Sequence, residues 1–191
     1  MLIQKLAIAL TASVLFLGCT SQSPQTQSSP TPSPWESTQP IYTNTLKAAI
    51  EELQMLQTKI KSGINAITYL DLISNTAPIV QRASGEAKAV AAMKSAFEGH
   101  QLALKFWQCD QVNGYDELHQ CRGKVLSRIF AKYPDIAAQT KATAKGKDLA
   151  TISVGLEKEA ILEKIWEKTN ADTQVARKAI SPATTQKERQ P

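Results

Sequence analysis

An all-α fold, a small helical bundle of four to five helices, is what this sequence predicts, and three observations predict it. From Ile41 onward apolar residues recur at spacings of three and four, the stripe of amphipathic helices. Gly (8) and Phe (4) are scarce while Ala, Lys, Leu, Ile and Gln abound, a bias towards helix over sheet. Asn-Gly and Ser-Gly pairs and prolines punctuate the apolar runs where helices would end. The chain has 191 residues. Without a leader and a linker, about 140 to 150 remain, enough for one core.

The first element is the leader. Met1 to Lys5 is short and carries one positive charge, Leu6 to Leu17 is almost wholly apolar, and Gly18-Cys19 follows. That three-zone order describes a secretory signal. The apolar zone is shorter than the roughly 20 residues a membrane-spanning helix needs. Leu15-Phe16-Leu17-Gly18-Cys19 resembles the lipobox of bacterial lipoproteins; Gly18 and Cys19 match its two most informative positions, while Phe16 and Leu17 depart from the commonest residues. The resemblance implies removal of residues 1–18, lipidation of Cys19 and an extracytoplasmic address on a bacterial membrane. Thr20 after the Cys leans the expectation towards an outer membrane, since an Asp there marks inner-membrane retention in the family.

Residues 19–40 follow as a disordered tether. The stretch is rich in Ser, Thr, Gln and Pro, carries one charge and has almost nothing apolar to bury. Its prolines favour polyproline II, and about 20 residues reach about 25 Å, a spacer's length. Trp35 is the exception, suited to docking on the domain or at a lipid interface and equally to standing exposed in the linker.

The domain, 41–180, opens with a helix whose stripe is Leu46, Ile50, Leu53, Leu56 and Ile60; Thr43 and Asn44 are its candidate caps and Gly63 its left-handed stop. A second helix, Ile67 to Ala83, is expected to turn Leu70, Ile73, Ala77 and Val80 inward. Pro78 should kink or break it unless the helix restarts near Asn75. Ser84-Gly85-Glu86 marks a fresh start. Ala87 to Trp107 then places Val90, Met93, Phe97, His100, Leu104 and Trp107 in register. Asn113-Gly114 signals a turn into a helix from about Asp116 to Tyr133, with Leu118, Cys121, Val125 and Ile129 inward and Pro134 as its stop. A short helix over Asp135 to Thr143 and a polar break over Ala144 to Asp148 come next. One long helix, Leu149 to Thr169, presents Ile152, Leu156, Ile161, Ile165 and Trp166; its opening Thr151 to Gly155 is strand-like in composition but lacks a partner strand. Residues 181–191 read as a disordered tail. Gly63, Tyr69, Trp107 and Trp166 together resemble, loosely, uncharacterised bacterial helical domains, a resemblance that implies no activity.

Three cysteines in an exported chain leave an odd one. With Cys19 assigned to lipid, Cys109 and Cys121 remain, one closing a helix and the other in the first turns of the next. Outside the cytoplasm a disulfide is the expected state of such a pair, and a loop of this size contributes about 3 kcal/mol. His100 and His119 are the only histidines. With the two cysteines they match no zinc spacing, so no metal is expected; His100 reads as a core-edge residue and His119 as a surface one. Nucleophile-elbow, phosphate-loop and di-iron patterns are missing, so no catalytic residue and no cofactor is assigned. The carboxylates Glu51-Glu52 and Glu157, Glu159, Glu163 and Glu167 alternate with Lys, as solvated faces do.

The net charge is +5, or +4 once Lys5 leaves with the leader. The basic groups Lys141, Lys145, Lys147 and Arg177, Lys178 are not interleaved with aromatics, which argues against nucleic acid as a partner and permits a weak attraction to anionic lipid. Asp110, Tyr115, Asp116 and Glu117 gather beside the cysteine pair as a candidate recognition loop. The expected function is that of a membrane-tethered, non-enzymatic lipoprotein contacting an envelope protein as a binding or accessory module. The alternative is a small-molecule or lipid binder with a cavity inside the bundle.

Overall fold

A computed structural model describes residues 42–141 and 148–181. The chain divides into two units, Met1–Ser37 and Thr38–Pro191, and every described residue belongs to the second. The expectations for the leader, Cys19, the tether, the break over 144–147 and the tail from 182 onward therefore lie outside the described residues.

Among the described residues all regular structure is helical. There are seven α-helices, more than the four to five expected: α1 (Tyr42–Lys61), α2 (Ala66–Arg82), α3 (Ala87–Gln108), α4 (Tyr115–Lys132), α5 (Pro134–Lys141), α6 (Leu149–Val154) and α7 (Lys158–Ile180), with a single 3-10 turn at Cys109–Gln111. The surplus has local causes. Pro134 stops α4 but also occupies the first position of α5, where its missing N–H costs nothing. The expected last helix is two. The backbone leaves the helix at Gly155, Leu156 and Glu157, so Thr151 to Val154 is one short helix, not a strand, and α7 runs on to Ile180.

Helix ends follow side-chain chemistry. Asn65 caps α2 by accepting from the Thr68 N–H at 2.9 Å, and Asp148 caps α6 through the Thr151 N–H at 2.8 Å. Glu86 accepts from the Lys88 and Ala89 N–H groups at the start of α3. Gly63 ends α1 at φ 87°, a left-handed geometry that Gly adopts without strain. Thr43 and Asn44 lie within α1, which already begins at Tyr42. Pro78 lies inside α2 without ending it; the helix neither stops nor restarts near Asn75.

The core gathers the predicted stripes of α1 and α3, with α3 packed against α7, α2, α4 and α1. Two faces are rotated from expectation. On α2, Tyr69, Ile73, Thr76 and Val80 are buried while Leu70 is 39% exposed. On α4, Gly123, Leu126, Ile129 and Phe130 are buried, whereas Leu118, Cys121 and Val125 are only half-buried. Two glycines set the closest approaches. A Cβ on Gly99 would stand 2.2 Å from the Tyr133 hydroxyl and 2.5 Å from Thr169 Cγ2. A Cβ on Gly123 would stand 2.8 Å from the Ala150 backbone nitrogen, so α6 lies directly on α4. No helix among the described residues is long and apolar enough to cross a membrane.

Candidate functional site

Cys109 and Cys121 form a disulfide with their Cα atoms 5.7 Å apart. The bond ties the 3-10 turn after α3 to the second turn of α4. Gly114, at φ 98°, sits in the connection and lets the chain reverse within a few residues.

The four residues expected to form a recognition loop are divided by the structure. Asp110 accepts from Arg122 at 2.6 Å and from Lys158 at 2.7 Å, joining the turn to α4 and α7. Partial burial pushes its carboxyl up, but those two cations outweigh the burial and hold it below the ordinary carboxylate range. Lys158 is correspondingly raised, first by its bond to Asp110, and its ammonium lies 5.9 Å from the Trp107 ring centre. Arg122 stacks 5.7 Å over Phe106. Asp110 is thus a three-element tie. Tyr115, Asp116 and Glu117 remain in the open first turn of α4. Tyr115 is 63% exposed and meets the His119 ring edge-on at 4.5 Å.

Beside them Tyr115, Asp116, His119, Asp148 and Val154 line a shallow groove of about 180 Å³ between α4 and α6. His119 is not on the surface: α6 covers it. Its Nδ1 meets Ser153 Oγ at 2.7 Å. The Ser153 hydroxyl donates to the Ala150 carbonyl at 2.7 Å, so Oγ accepts from the imidazole N–H. Ser153 is buried with its proton held by a carbonyl, an arrangement that fastens α6 to α4.

A second constellation was only half legible. Tyr69, Trp107 and Trp166 converge with ring centres 5.9 to 6.0 Å apart. Behind them His100 is fully buried, at the centre of the bundle and not at the core edge. The hydrogen bonds settle its tautomer. Gln57 Nε2 lies 3.3 Å from the Trp166 carbonyl oxygen, an acceptor only, so the amide nitrogen faces inward. Its two hydrogens are shared among that carbonyl, Thr169 Oγ1 at 2.6 Å and His100 Nε2 at 3.2 Å, so His100 Nε2 faces a donor and is the unprotonated nitrogen. The imidazole hydrogen therefore sits on Nδ1, 2.9 Å from the Tyr69 hydroxyl oxygen. That oxygen also accepts from the Trp166 indole at 3.1 Å, and the hydroxyl donates to the His100 carbonyl at 3.2 Å. The circuit is neutral. Burial pushes His100 down to about 3 and pushes the Tyr69 hydroxyl up.

Gln57 and Thr169 are the members that sequence reasoning missed. Their signal was phase: Gln57 lies four residues after Leu53, and Thr169 four after Ile165, so each is a polar residue within an apolar stripe. Among the described residues no three His, Cys, Asp or Glu side chains converge as metal ligands. The chain matches no protein-family model, no curated protein and no solved structure.

Proposed function

We propose that this chain is a lipid-anchored extracytoplasmic lipoprotein whose helical bundle serves as a protein-binding or accessory module of the cell envelope. The observation that carries the reading is the pairing of Cys109 with Cys121. It consumes two of three cysteines and leaves Cys19, directly after the apolar leader segment, as the remaining one. A disulfide in a small domain suits an oxidising compartment, and a lipid on Cys19 gives the odd cysteine a use.

The contact face of this reading is the disulfide-braced edge of the bundle. Val112, Tyr115 and Val154 are exposed there at 39%, 63% and 50%, with Asp116 and Asp148 beside the last two. An exposed aromatic among carboxylates on a braced turn suits a partner that presents apolar and basic groups together. The experiment has two arms in native membranes. Wild-type protein incorporates labelled fatty acid and partitions into detergent, and Cys19→Ser does neither. A photo-crosslinking amino acid at Tyr115 yields a discrete protein adduct, while one at Val175, exposed on α7, does not. Release of wild type as soluble, unlabelled protein defeats the anchor; equal adducts at both positions defeat the contact face.

A further inference from the structure

The connection between Cys109 and Cys121 contains the chain's one Asn-Gly pair, Asn113-Gly114. Both residues are exposed. Gly114 stands at the N-cap of α4, and no side chain caps that end. Its carbonyl is engaged, accepting from the Leu118 N–H at 3.0 Å. Among the described residues, neither the Gly114 N–H nor the Asn113 side-chain amide has a hydrogen-bond partner. Gly114 also holds φ at 98°, a conformation that favours glycine.

These conditions let an Asn side chain cyclise onto the main chain. The Gly114 nitrogen loses its proton to hydroxide and adds to Asn113 Cγ. The new C–N bond closes a five-membered succinimide, and the side-chain nitrogen takes up a proton and leaves as ammonia. One water then opens the ring. Attack at Cγ gives aspartate. Attack at the main-chain carbonyl carbon gives isoaspartate, whose chain runs through Cβ and Cγ. In sum, amide and water become carboxylic acid and ammonia, with no redox partner and no cofactor. A hydrogen-bonded N–H after the Asn opposes the first step because that bond must break. A Cβ on the following residue opposes it by crowding the approach of Cγ, and Gly has none.

The other four asparagines are less well placed. Asn75 and Asn170 lie inside α2 and α7, where the next N–H belongs to the helical ladder, and Thr76 and Ala171 follow them. Asn65 accepts from the Thr68 N–H at 2.9 Å and precedes Ala66. Asn44 lies in the first turn of α1, before Thr45.

We infer that Asn113 is a self-modification site, converting to isoaspartate and aspartate through a succinimide formed with Gly114. The product carries one more negative charge, at the turn that leads into Asp116 and Glu117. The Glu117 carboxylate already lies against Gly114, where an added Cβ would clash with it. The bundle is expected to survive the change. The disulfide pins both ends of the connection, and a negative charge just before α4 suits its helix dipole. The assignment depends neither on the anchor nor on the contact face.

The test holds full-length wild type in detergent at mildly alkaline pH, in water labelled with heavy oxygen, and maps it by mass spectrometry. Electron-transfer fragmentation separates isoaspartate from aspartate. The peptide containing Asn113 is expected to gain the mass of an amide-to-acid exchange, to take up heavy oxygen and to yield both products. Asn113 should convert at least roughly tenfold faster than each of the other four asparagines, a barrier difference of about 1.4 kcal/mol. Gly114→Ala should slow the conversion by at least roughly tenfold. Asn113→Gln, which leaves Gly114 in place, should give no acidic species on isoelectric focusing and an unchanged far-UV spectrum. If Gly114→Ala fails to fold, the ranking of the five asparagines in wild type decides alone. Conversion at Asn113 no faster than at Asn44 or Asn170, or aspartate without isoaspartate, overturns the site.

Discussion

The Tyr69 hydroxyl and the His100 Nδ1 lie 2.9 Å apart in the middle of the bundle, brought together from α2 and α3 across 31 residues. Trp166 closes the group from α7, 97 residues after Tyr69. Three helices therefore register on one neutral polar centre. Its satisfaction matters more than its strength, because an unmatched buried donor costs about 1 to 3 kcal/mol.

The first prediction concerns pH. His100 is held at about 3 by burial, against 6.5 in an unfolded chain. Between those values the unfolded state binds the proton and the folded state does not. Stability is therefore complete above pH 6.5 and falls as the pH drops towards 3, with a slope of up to about 1.4 kcal/mol per pH unit. Denaturant titrations between pH 7 and 5, a window above the ordinary carboxylate range, should show this slope. His100→Gln should be less stable at pH 7 yet lose most of the slope. An unchanged slope in the variant would contradict the assignment.

Removing the disulfide should weaken the fold without erasing it. The bond closes a local loop of 12 residues' separation, and such loops contribute about 2 to 3 kcal/mol. The apolar stripes of α1, α3 and α7 remain. Cys109→Ser with Cys121→Ser should keep its helical far-UV spectrum and melt several degrees lower. Peptide mapping of non-reduced protein from an oxidising compartment should recover the two cysteines linked, and free, alkylatable thiols there would sink the pairing.

Asp110→Asn should separate the 3-10 turn from α7. The carboxylate meets Arg122 and Lys158 at 2.6 and 2.7 Å. Its low folded pKa means that its stabilisation is present above the unfolded carboxylate range and is lost as the pH falls through the folded value. Its partial exposure limits the loss to about 1 to 2 kcal/mol at neutral pH. Wild type and Asp110→Asn should converge in acid. A difference that persists once the carboxyl is protonated would point to packing instead of charge.

Gly123→Ala should detach α6. The added Cβ meets backbone of Ala150 and Leu149, which cannot rotate aside. Overpacking of this kind costs about 1 to 3 kcal/mol, more than the roughly 1 kcal/mol gained in helix propensity. Hydrogen exchange should accelerate over residues 149–154 and leave α3 and α7 protected. Normal protection of α6 in the variant would show that the two helices part easily, against the contact described above.

What the sequence by itself determined is the local structure. The apolar periodicity specified helices in α1 to α5, Gly63 and Gly114 marked positive-φ turns, and the spacing of Cys109 and Cys121 across Asn113-Gly114 anticipated their bond. These features depend on neighbours within a few residues, so a one-dimensional pattern carries them. The tertiary structure decided which side of each stripe lies deepest. It turned Tyr69 inward in place of Leu70, covered His119 with α6, and cut the expected last helix at Gly155. It also drew Asp110 into ion pairs with α4 and α7, and joined Gln57, Tyr69, His100, Trp166 and Thr169 into one circuit. The physical reason is range. A helix forms from contacts three and four residues apart, whereas a buried polar side chain is tolerable only through partners on other helices. Gln57 and Thr169 are 112 residues apart, and only the packing of α1 against α7 makes them neighbours.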